Sequence, residues 1–195
     1  MAGKPSAARF DADGNLVVNH ERWARVADAP DRWHGRYVRI AALLRPGERI
    51  VEFGCSGQAI RALLPEGCRY QPADLIARSP DCIAIDLTTD SPASIAATAP
   101  GGGRYDTAIY AGVLEYLPDP VATLAETMQI ADRAIFSYAL RDQFGDMDHR
   151  VGHAGWFSHL SLADLQAGAG AAGLALEPAG TWQRQRLFVA TPAGG

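Results

Sequence analysis

This 195-residue sequence has no excess of basic charge, only three cysteines and no long apolar run. Eighteen lysines and arginines stand against 22 acidic residues, so the net charge is −4 and the sequence lacks the basic footprint of proteins that bind nucleic-acid backbones. No stretch is apolar for long enough to cross a bilayer, and no hydrophobic segment near the start has the form of a secretory signal. The composition therefore disfavours nucleic acids and membranes as partners.

The three cysteines, Cys55, Cys68 and Cys82, are widely spaced and odd in number. They suit neither a disulfide framework nor a zinc site, so a reduced, cytoplasmic setting is the simplest interpretation. Apolar residues make up 48% and charged residues 21% of the chain, as in ordinary globular proteins. The length fits one domain with a single core, which we place at residues 31–195, after an N-terminal polar arm at residues 1–30.

Strand-like and helix-like stretches alternate from Arg49 onward. Five short apolar runs fit strands that are buried on both faces of a parallel sheet, namely RIVEF, RYQPAD, CIAID, YDTAIYA and RAIFSYA. Two later runs, LALEPAGTW and RLFVATP, have a link too short for a parallel crossover, so they should be antiparallel neighbours. The pattern predicts an α/β fold: a Rossmann-like, doubly wound sheet of about seven strands, five parallel plus a C-terminal antiparallel pair, with helices on both faces.

Several local signals predict the other elements. ARFDADGNLVVN indicates a hairpin in the arm, Asp119-Pro120 begins a helix, and Ser161 with Asp164 forms a capping box at the start of another. A further helix is predicted from about Asp31 to Leu44, with an apolar and a basic face. The apolar face holds Trp33, Tyr37, Ile40 and Leu44, and the basic face holds Arg32, Arg36 and Arg39.

Ligands of open α/β sheets bind beyond the carboxyl ends of the strands, so the residues after each predicted strand are the candidates for a site. Gly54 and Gly57 follow the first strand and let the backbone approach a ligand, and the helix expected after them would offer free N–H groups to an anion. The second strand ends at Asp74, which is suited to accept both hydroxyls of a ribose. Asp86-Leu87 ends the third strand and pairs a carboxylate with an apolar residue, as an adenine requires.

These segments, together with YDTAIYAGVLEYLPDP around the fourth strand, resemble the successive motifs of class I S-adenosylmethionine-dependent methyltransferases in order and spacing. The resemblance covers roughly Ile40 to the C-terminus and implies S-adenosylmethionine as the cofactor. It implies a cofactor-binding set in which Glu52, Gly54 and Gly57 line the methionine part, Asp74 holds the ribose, Asp86 and Leu87 hold the adenine, Tyr110, Ala111 and Gly112 lie beneath the sulfonium, and Cys55, Ser56 and Leu75 complete the lining.

Two features depart from that family's pattern. Ser56 stands where the family usually has a second glycine, and its Cβ is compatible with the turn if φ stays negative. The segment from Leu75 to Pro80 is too short for the usual crossover helix between parallel strands. The adenine pocket is therefore expected to be open on that side or completed by another segment.

The long segment from Leu140 to Leu160 follows the fifth predicted strand and contains three of the five histidines. A long loop at this place in the fold is often functional, and histidine is the natural base near neutral pH. His153 is therefore our first candidate for a catalytic base and His149 the second. No metal is assigned, and a site built from nearby acids and histidines is a minor alternative, with Asp146, Asp148, His149 and His153 as its ligands.

The predicted function is transfer of a methyl group to a small-molecule, polar acceptor, with a hydroxyl of a sugar or metabolite as one candidate. Two alternatives stay open. The first is a non-catalytic binding or scaffold protein of the same fold, which Ser56 and the short second crossover motivate. The second is an NAD(P)-dependent oxidoreductase, against which Glu52 and the absence of a separate substrate domain argue.

Overall fold

The computed structural model describes residues 9–13, 16–26, 30–99 and 103–194. Within these ranges the chain forms nine strands and four α-helices, which are, in chain order, β1 Arg9–Phe10, β2 Leu16–Val17, α1 His20–Val26, α2 His34–Ala41, β3 Arg49–Phe53, β4 Arg69–Asp74, β5 Ile83–Ala84, β6 Tyr105–Ala111, α3 Pro120–Thr127, β7 Ala131–Tyr138, α4 Leu162–Ala171, β8 Leu174–Trp182 and β9 Gln185–Pro192. Shorter helical turns connect them, at Pro30–Trp33, Ala59–Leu63, Pro92–Thr98, Leu114–Tyr116 and Asp148–His153. In these ranges no helix has the length and apolar character that spanning a membrane requires.

Seven of the strands form one sheet in the order β5-β4-β3-β6-β7-β9-β8. Strands β3 to β7 are parallel, whereas β9 pairs antiparallel with both β7 and β8. The predicted fold class is confirmed: five parallel strands plus a C-terminal antiparallel pair, with helices on both faces. The chain winds outward from β3 in one direction and then from β6 in the other, so ligands are expected between the ends of these two strands.

Alternate residues of the central strands face two separate cores, as the period of two in a β-strand requires. Phe53 and Tyr110 belong to the core covered by α3 and α4. Ile50 and Ile109 belong to the core under α2 and the turn at Ala59–Leu63. Burial on both faces explains why the predicted strands are nearly continuous apolar runs.

The predicted helix caps and the predicted hairpin, which depend on contacts between near neighbours in sequence, are present in the structure. The side chain of Asp119 caps α3, and Ser161 and Asp164 form the predicted capping box of α4. The hairpin in the arm is also present, with β1 pairing antiparallel to β2. The division between the arm at residues 1–30 and the domain at residues 31–195 stays a prediction.

The helix predicted from about Asp31 to Leu44 is shorter than expected, since a 3₁₀ turn at Pro30–Trp33 precedes α2. Its apolar face is buried as predicted at Tyr37 and Ile40. Arg36, on the predicted basic face, is nevertheless buried and only 6% exposed. It lies three residues after Trp33, so its guanidinium turns back along the helix to within 5.9 Å of that ring.

Candidate active site

A main cleft of about 380 Å³ opens beyond the carboxyl ends of β3, β4 and β6, where the winding of the sheet reverses. Most of the residues that the sequence predicted for the site line it, namely Gly54, Ser56, Asp74, Leu75, Asp86, Leu87, Ala111, Gly112, His149 and His153. Glu52, Cys55, Gly57 and Tyr110 do not contribute to the lining. The rule that ligands bind beyond the carboxyl ends of the strands therefore identified residues that are far apart in sequence but line one cleft.

The glycine turn after β3 is held in an unusual backbone conformation. Gly54 has a φ of +70°, and a Cβ there would lie 2.4 Å from Cγ2 of Val113. Ser56 adopts a φ of +46°, so the condition of a negative φ, under which its Cβ is compatible with the turn, is not met. Its N–H donates to Oδ2 of Asp74 at 2.6 Å, a charge-assisted bond that offsets the cost of the left-handed backbone.

The element after this turn also differs from the prediction. It is a five-residue 3₁₀ helix, Ala59–Leu63, and its first flanking residue, Gln58, has a φ of +57°. A single 3₁₀ turn lacks the aligned N–H groups of an α-helix start. The structure therefore lacks the α-helix N-terminus that the sequence predicted for binding an anion at this place.

Asp74 is 7% exposed and has a fixed orientation at the rim of the main cleft. Besides the Ser56 N–H, its carboxylate accepts the N–H of Ile76 at 3.1 Å and pairs with Arg78 at 3.4 Å. A carboxylate offers about four acceptor positions. Asp74 thus keeps capacity for a ligand hydroxyl on the side that faces the cleft.

The corner of the cleft beyond β5 combines a carboxylate with apolar surface. Ile85 and Leu87 line this corner, and Asp86 accepts the N–H and the hydroxyl of Thr88 at 3.0 and 2.6 Å. As predicted, no helix lies between β4 and β5. Another segment provides the wall: α1 contributes Trp23, whose carbonyl accepts a hydrogen bond from Arg78.

Glu52 lies beneath the glycine turn rather than in the main cleft, and it is fully buried. Its Oε2 accepts the hydroxyl of Tyr70, whereas its Oε1 has no hydrogen-bond partner. Burial without an ion pair raises the pKa of this carboxyl from its ordinary value of 4.5 to about 8. Of the three acids predicted to converge, Asp74 and Asp86 therefore line the cleft, and Glu52 supports its floor as a neutral acid at pH 7.

This pKa makes the stability of the ligand-free protein depend on pH. Between about pH 5 and pH 8 the folded carboxyl of Glu52 keeps a proton that the unfolded chain loses, so its stabilising contribution falls as pH rises. We expect the free energy of unfolding to fall by up to about 1 kcal/mol per pH unit in this range relative to Glu52→Gln. Urea denaturation at several pH values measures it, and Glu66→Gln, at an exposed site, is the control. Parallel pH profiles for wild type and Glu52→Gln would contradict the assignment.

Cys55 and Tyr110 point away from the main cleft. The Cys55 thiol is buried, 3.7 Å from Sγ of Cys82, and burial raises its pKa. The Tyr110 hydroxyl lies 2.7 Å from Oγ1 of Thr127 in α3, within the core that α3 and α4 cover. Gly57 is exposed at the edge of the turn. Any contact of these residues with a ligand would therefore come from their backbone.

Arg36 is the most important site residue that the sequence reasoning missed. Its Nη1 donates to Oε1 of Gln185 at 2.9 Å, and Gln185 in turn donates to Oε1 of Glu115 at 2.9 Å. The guanidinium lies so close to Gly112 that a Cβ there would be 2.1 Å from Nη1. In the described part of the chain no carboxylate lies within ion-pair distance of Arg36, and its Nε has no partner.

Only the fold brings the side chains of Arg36, Gln185 and Glu115 together, since Arg36 lies in α2, Glu115 follows β6 and Gln185 begins β9. Glu115 lies in the segment that carried the resemblance, which is the one signal in the sequence for this cluster. A buried cation without a carboxylate partner is costly unless a ligand supplies the negative charge. Arg36 is therefore a candidate group for binding an anion in the cleft that it lines.

The candidate bases lie on one helical turn. A π-helical turn at Asp148–His153 places the ring centroids of His149 and His153 5.8 Å apart, and both line the main cleft. Burial lowers the pKa of His149, so its imidazole is neutral near pH 7. The third histidine of this loop, His159, is not part of the lining, because its Nδ1 accepts a hydrogen bond from Arg150.

No group of three or more His, Cys, Asp or Glu is placed to hold a metal ion in the described ranges. The alternative metal site in this loop is therefore not supported. The cleft does fit an S-adenosyl nucleoside. Asp74 can accept ribose hydroxyls, the corner at Ile85 and Leu87 can cover a flat base, and the unpaired guanidinium of Arg36 can receive a carboxylate.

Comparisons with known proteins agree with this geometry. The sequence matches the model of the family described as "Methyltransferase domain" over residues 23–178. No curated protein matches the sequence. A chain in the complex of the Haloferax volcanii Trm112 methyltransferase activator with a methyltransferase is 18% identical, with a TM-score of 0.63 over 91% of this chain and 100% of that chain.

Two other solved structures with a bound cofactor or product share the fold. The N-methyltransferase NodS from Bradyrhizobium japonicum WM9, in complex with S-adenosylhomocysteine, is 15% identical, with a TM-score of 0.58 over 88% of this chain and 96% of that chain. Magnesium protoporphyrin IX methyltransferase from Synechocystis PCC 6803, with bound S-adenosylmethionine, is 20% identical, with a TM-score of 0.51 over 91% of this chain and 86% of that chain.

The family model covers most of the chain, including every segment that contributes to the predicted cofactor site. This match favours a methyltransferase over the two alternatives, a scaffold protein and a nicotinamide-dependent oxidoreductase. The chain belongs to the methyltransferase-domain family, and it is a class I methyltransferase whose cofactor is S-adenosylmethionine.

Proposed function

We propose that this enzyme methylates a small polar acceptor, with a hydroxyl of a sugar or metabolite as the leading candidate. The observation that carries the proposal is that His149 and His153 line the same cleft as Asp74 and Gly112. A base beside the cofactor is useful only when the acceptor must lose a proton, as a hydroxyl does. The absence of a basic surface excess and the three free thiols support a soluble acceptor and a reduced, cytoplasmic setting.

The lining of the cleft supports a proposed set of cofactor contacts. Asp74 accepts the ribose hydroxyls, Asp86 and Leu87 hold the adenine, and Arg36 binds the methionine carboxylate. The missing side chain of Gly112 leaves room for that guanidinium. Other cofactor-binding roles stay predictions, namely those of Cys55, Ser56, Gly57, Leu75, Tyr110 and Ala111. The role of Glu52 is also a prediction: it acts on the cofactor site indirectly, through its hydrogen bond with Tyr70 and through the glycine turn above it.

When bound, S-adenosylmethionine supplies a methyl group activated by a positive sulfonium. The protein's own task is to hold the acceptor oxygen in line with that group, which is worth several kcal/mol as effective concentration. Trp33, Tyr116 and Trp156 line the cleft and exclude water. His153 takes the proton that the hydroxyl loses, and neutral His149 is the second proton acceptor.

Turnover and binding together test this proposal. We expect His153→Asn to lower kcat about a hundredfold or more for a hydroxylated acceptor, while the S-adenosylhomocysteine Kd changes less than twofold. Calorimetry gives the Kd, and a panel of hydroxylated metabolites assayed for S-adenosylhomocysteine release gives kcat. His34→Asn, at an exposed position outside the cleft, is the matched control. Full activity of the His153→Asn, His149→Asn double variant would remove the histidines as bases.

A further inference from the structure

A second cavity of about 570 Å³ adjoins the main cleft. The two share a wall, which consists of Arg32, Trp33, Arg36, Trp156 and Gln185. The remaining walls of the second cavity come from Ala139 and Phe144, after β7, and from the turn between β8 and β9. A molecule seated in the second cavity would therefore lie next to the main cleft.

The charge of the second cavity is opposite to that of the whole chain. Three arginines line it, Arg32, Arg36 and Arg184, and no aspartate or glutamate does. Within the described residues none of these guanidinium groups lies within 4 Å of a carboxylate. Because the chain as a whole carries a net charge of −4, this concentration of unpaired positive charge favours an anion at this place.

The apolar walls are flat and aromatic. They consist of Trp33, Phe144, Trp156 and Trp182. The guanidinium carbon of Arg184 lies 4.5 Å from the ring centroid of Phe144, and that of Arg36 lies 5.5 Å from the ring of Trp182. Guanidinium groups therefore already cover one face of these two rings. A planar ring can pack only on aromatic surface that they leave free, while their N–H groups can donate to a carboxylate or phosphate in bidentate geometry.

We propose that the second cavity binds the body of the methyl acceptor, and that this acceptor is a small aromatic compound carrying a carboxylate or phosphate. This inference rests on the proposed function, because the hydroxyl to be methylated must extend past Gln185 to His153. Arg184 and Arg32 bind the anionic group, while Arg36 stays with the cofactor. The acceptor class is thus a hydroxylated aromatic acid or aryl phosphate.

The test uses three probes of similar shape, benzoate, phenyl phosphate and uncharged benzyl alcohol, with enzyme saturated with S-adenosylhomocysteine. Binding is followed by tryptophan fluorescence, because three of the four tryptophans line the second cavity. We expect at least one anion to bind tenfold or more tightly than benzyl alcohol, and the tighter anion identifies the group. We expect Arg184→Gln to weaken that anion at least tenfold. Arg39→Gln, at an exposed position of α2 outside both cavities, should leave it unchanged.

Arg184 is exposed at the turn, so its replacement leaves the fold intact, and the S-adenosylhomocysteine Kd of the variant should stay within twofold of wild type. Equal binding of all three probes, or unchanged anion binding in Arg184→Gln, would overturn the acceptor assignment while leaving the methyltransferase site in place. Failure of the wild-type enzyme to bind S-adenosylhomocysteine would instead overturn the proposed function, whatever the anions do.

Discussion

Asp74→Ala will weaken S-adenosylhomocysteine binding by about a hundredfold or more. In the proposed site the variant loses a charge-assisted hydrogen bond to a ribose hydroxyl, worth about 1.5–3 kcal/mol. It also removes the acceptor of the Ser56 N–H, so the glycine turn loses the bond that holds its left-handed backbone. The structure thus predicts a larger loss than the ligand contacts alone would give.

Calorimetry at fixed ionic strength measures this loss, and circular dichroism checks that the variant is folded. Asp132→Ala is the matched control, because Asp132 lies in an exposed ion pair with Arg104 at the opposite ends of the strands. Its S-adenosylhomocysteine Kd should equal that of wild type. Retention of wild-type affinity by Asp74→Ala would refute the ribose assignment.

Arg150→Met is expected to destabilise the protein by about 2–6 kcal/mol, because two carbonyl groups each lose a donor at a cost of about 1–3 kcal/mol. Among the described residues Arg150 is the largest fully buried side chain, and its guanidinium donates to the carbonyls of Ala139 at 2.8 Å and Phe144 at 3.0 Å. It also lies 4.9 Å from the ring of Trp156. Without it, these buried carbonyls lose their donors and the loop that carries His149 and His153 loses its anchor.

Urea denaturation gives the loss of stability, and turnover gives its consequence for the site. Because the loop, not the cofactor-binding rim, depends on Arg150, kcat should fall more than the affinity for S-adenosylhomocysteine. Arg150→Lys keeps the charge but not the planar fork, so an intermediate loss is expected. Arg141→Met removes an exposed ion pair with Asp164 and should cost less than 1 kcal/mol. Equal stability of wild type and Arg150→Met would contradict this role.

The candidate site was predictable where it follows the strand ends. Asp74, Asp86 and Gly112 each follow or end a parallel strand, and such residues meet at one edge of the sheet in any fold of this class. The same rule fails for Glu52 and Tyr110, because the side chains of a strand alternate between its two faces. A residue near the end of a strand lies at the rim of the cleft, but its side chain does not necessarily point into the cleft.

Residues that enter the site from outside the sheet were not predictable in this way. Trp23 lies in the arm that composition marked as polar, and it closes the wall left open by the missing crossover helix. Sequence periodicity placed Arg36 on the basic face of its helix, opposite the core, yet its guanidinium reaches Gln185 in the last strand. Neither contact leaves a local pattern, because each depends on a partner more than 50 residues away.

The amino-acid order by itself determined the alternation of strands and helices, the helix caps and the chemical types at the strand ends. These depend on side-chain periodicity and on hydrogen bonds between near neighbours, which act within a few residues. The tertiary structure alone decided that Arg36 is buried with no carboxylate within 4 Å among the described residues, and that Arg184 lines the second cavity. The physical reason is that burial and electrostatic pairing depend on distance in space, which the fold sets by bringing α2, the loop after β7 and the last hairpin together.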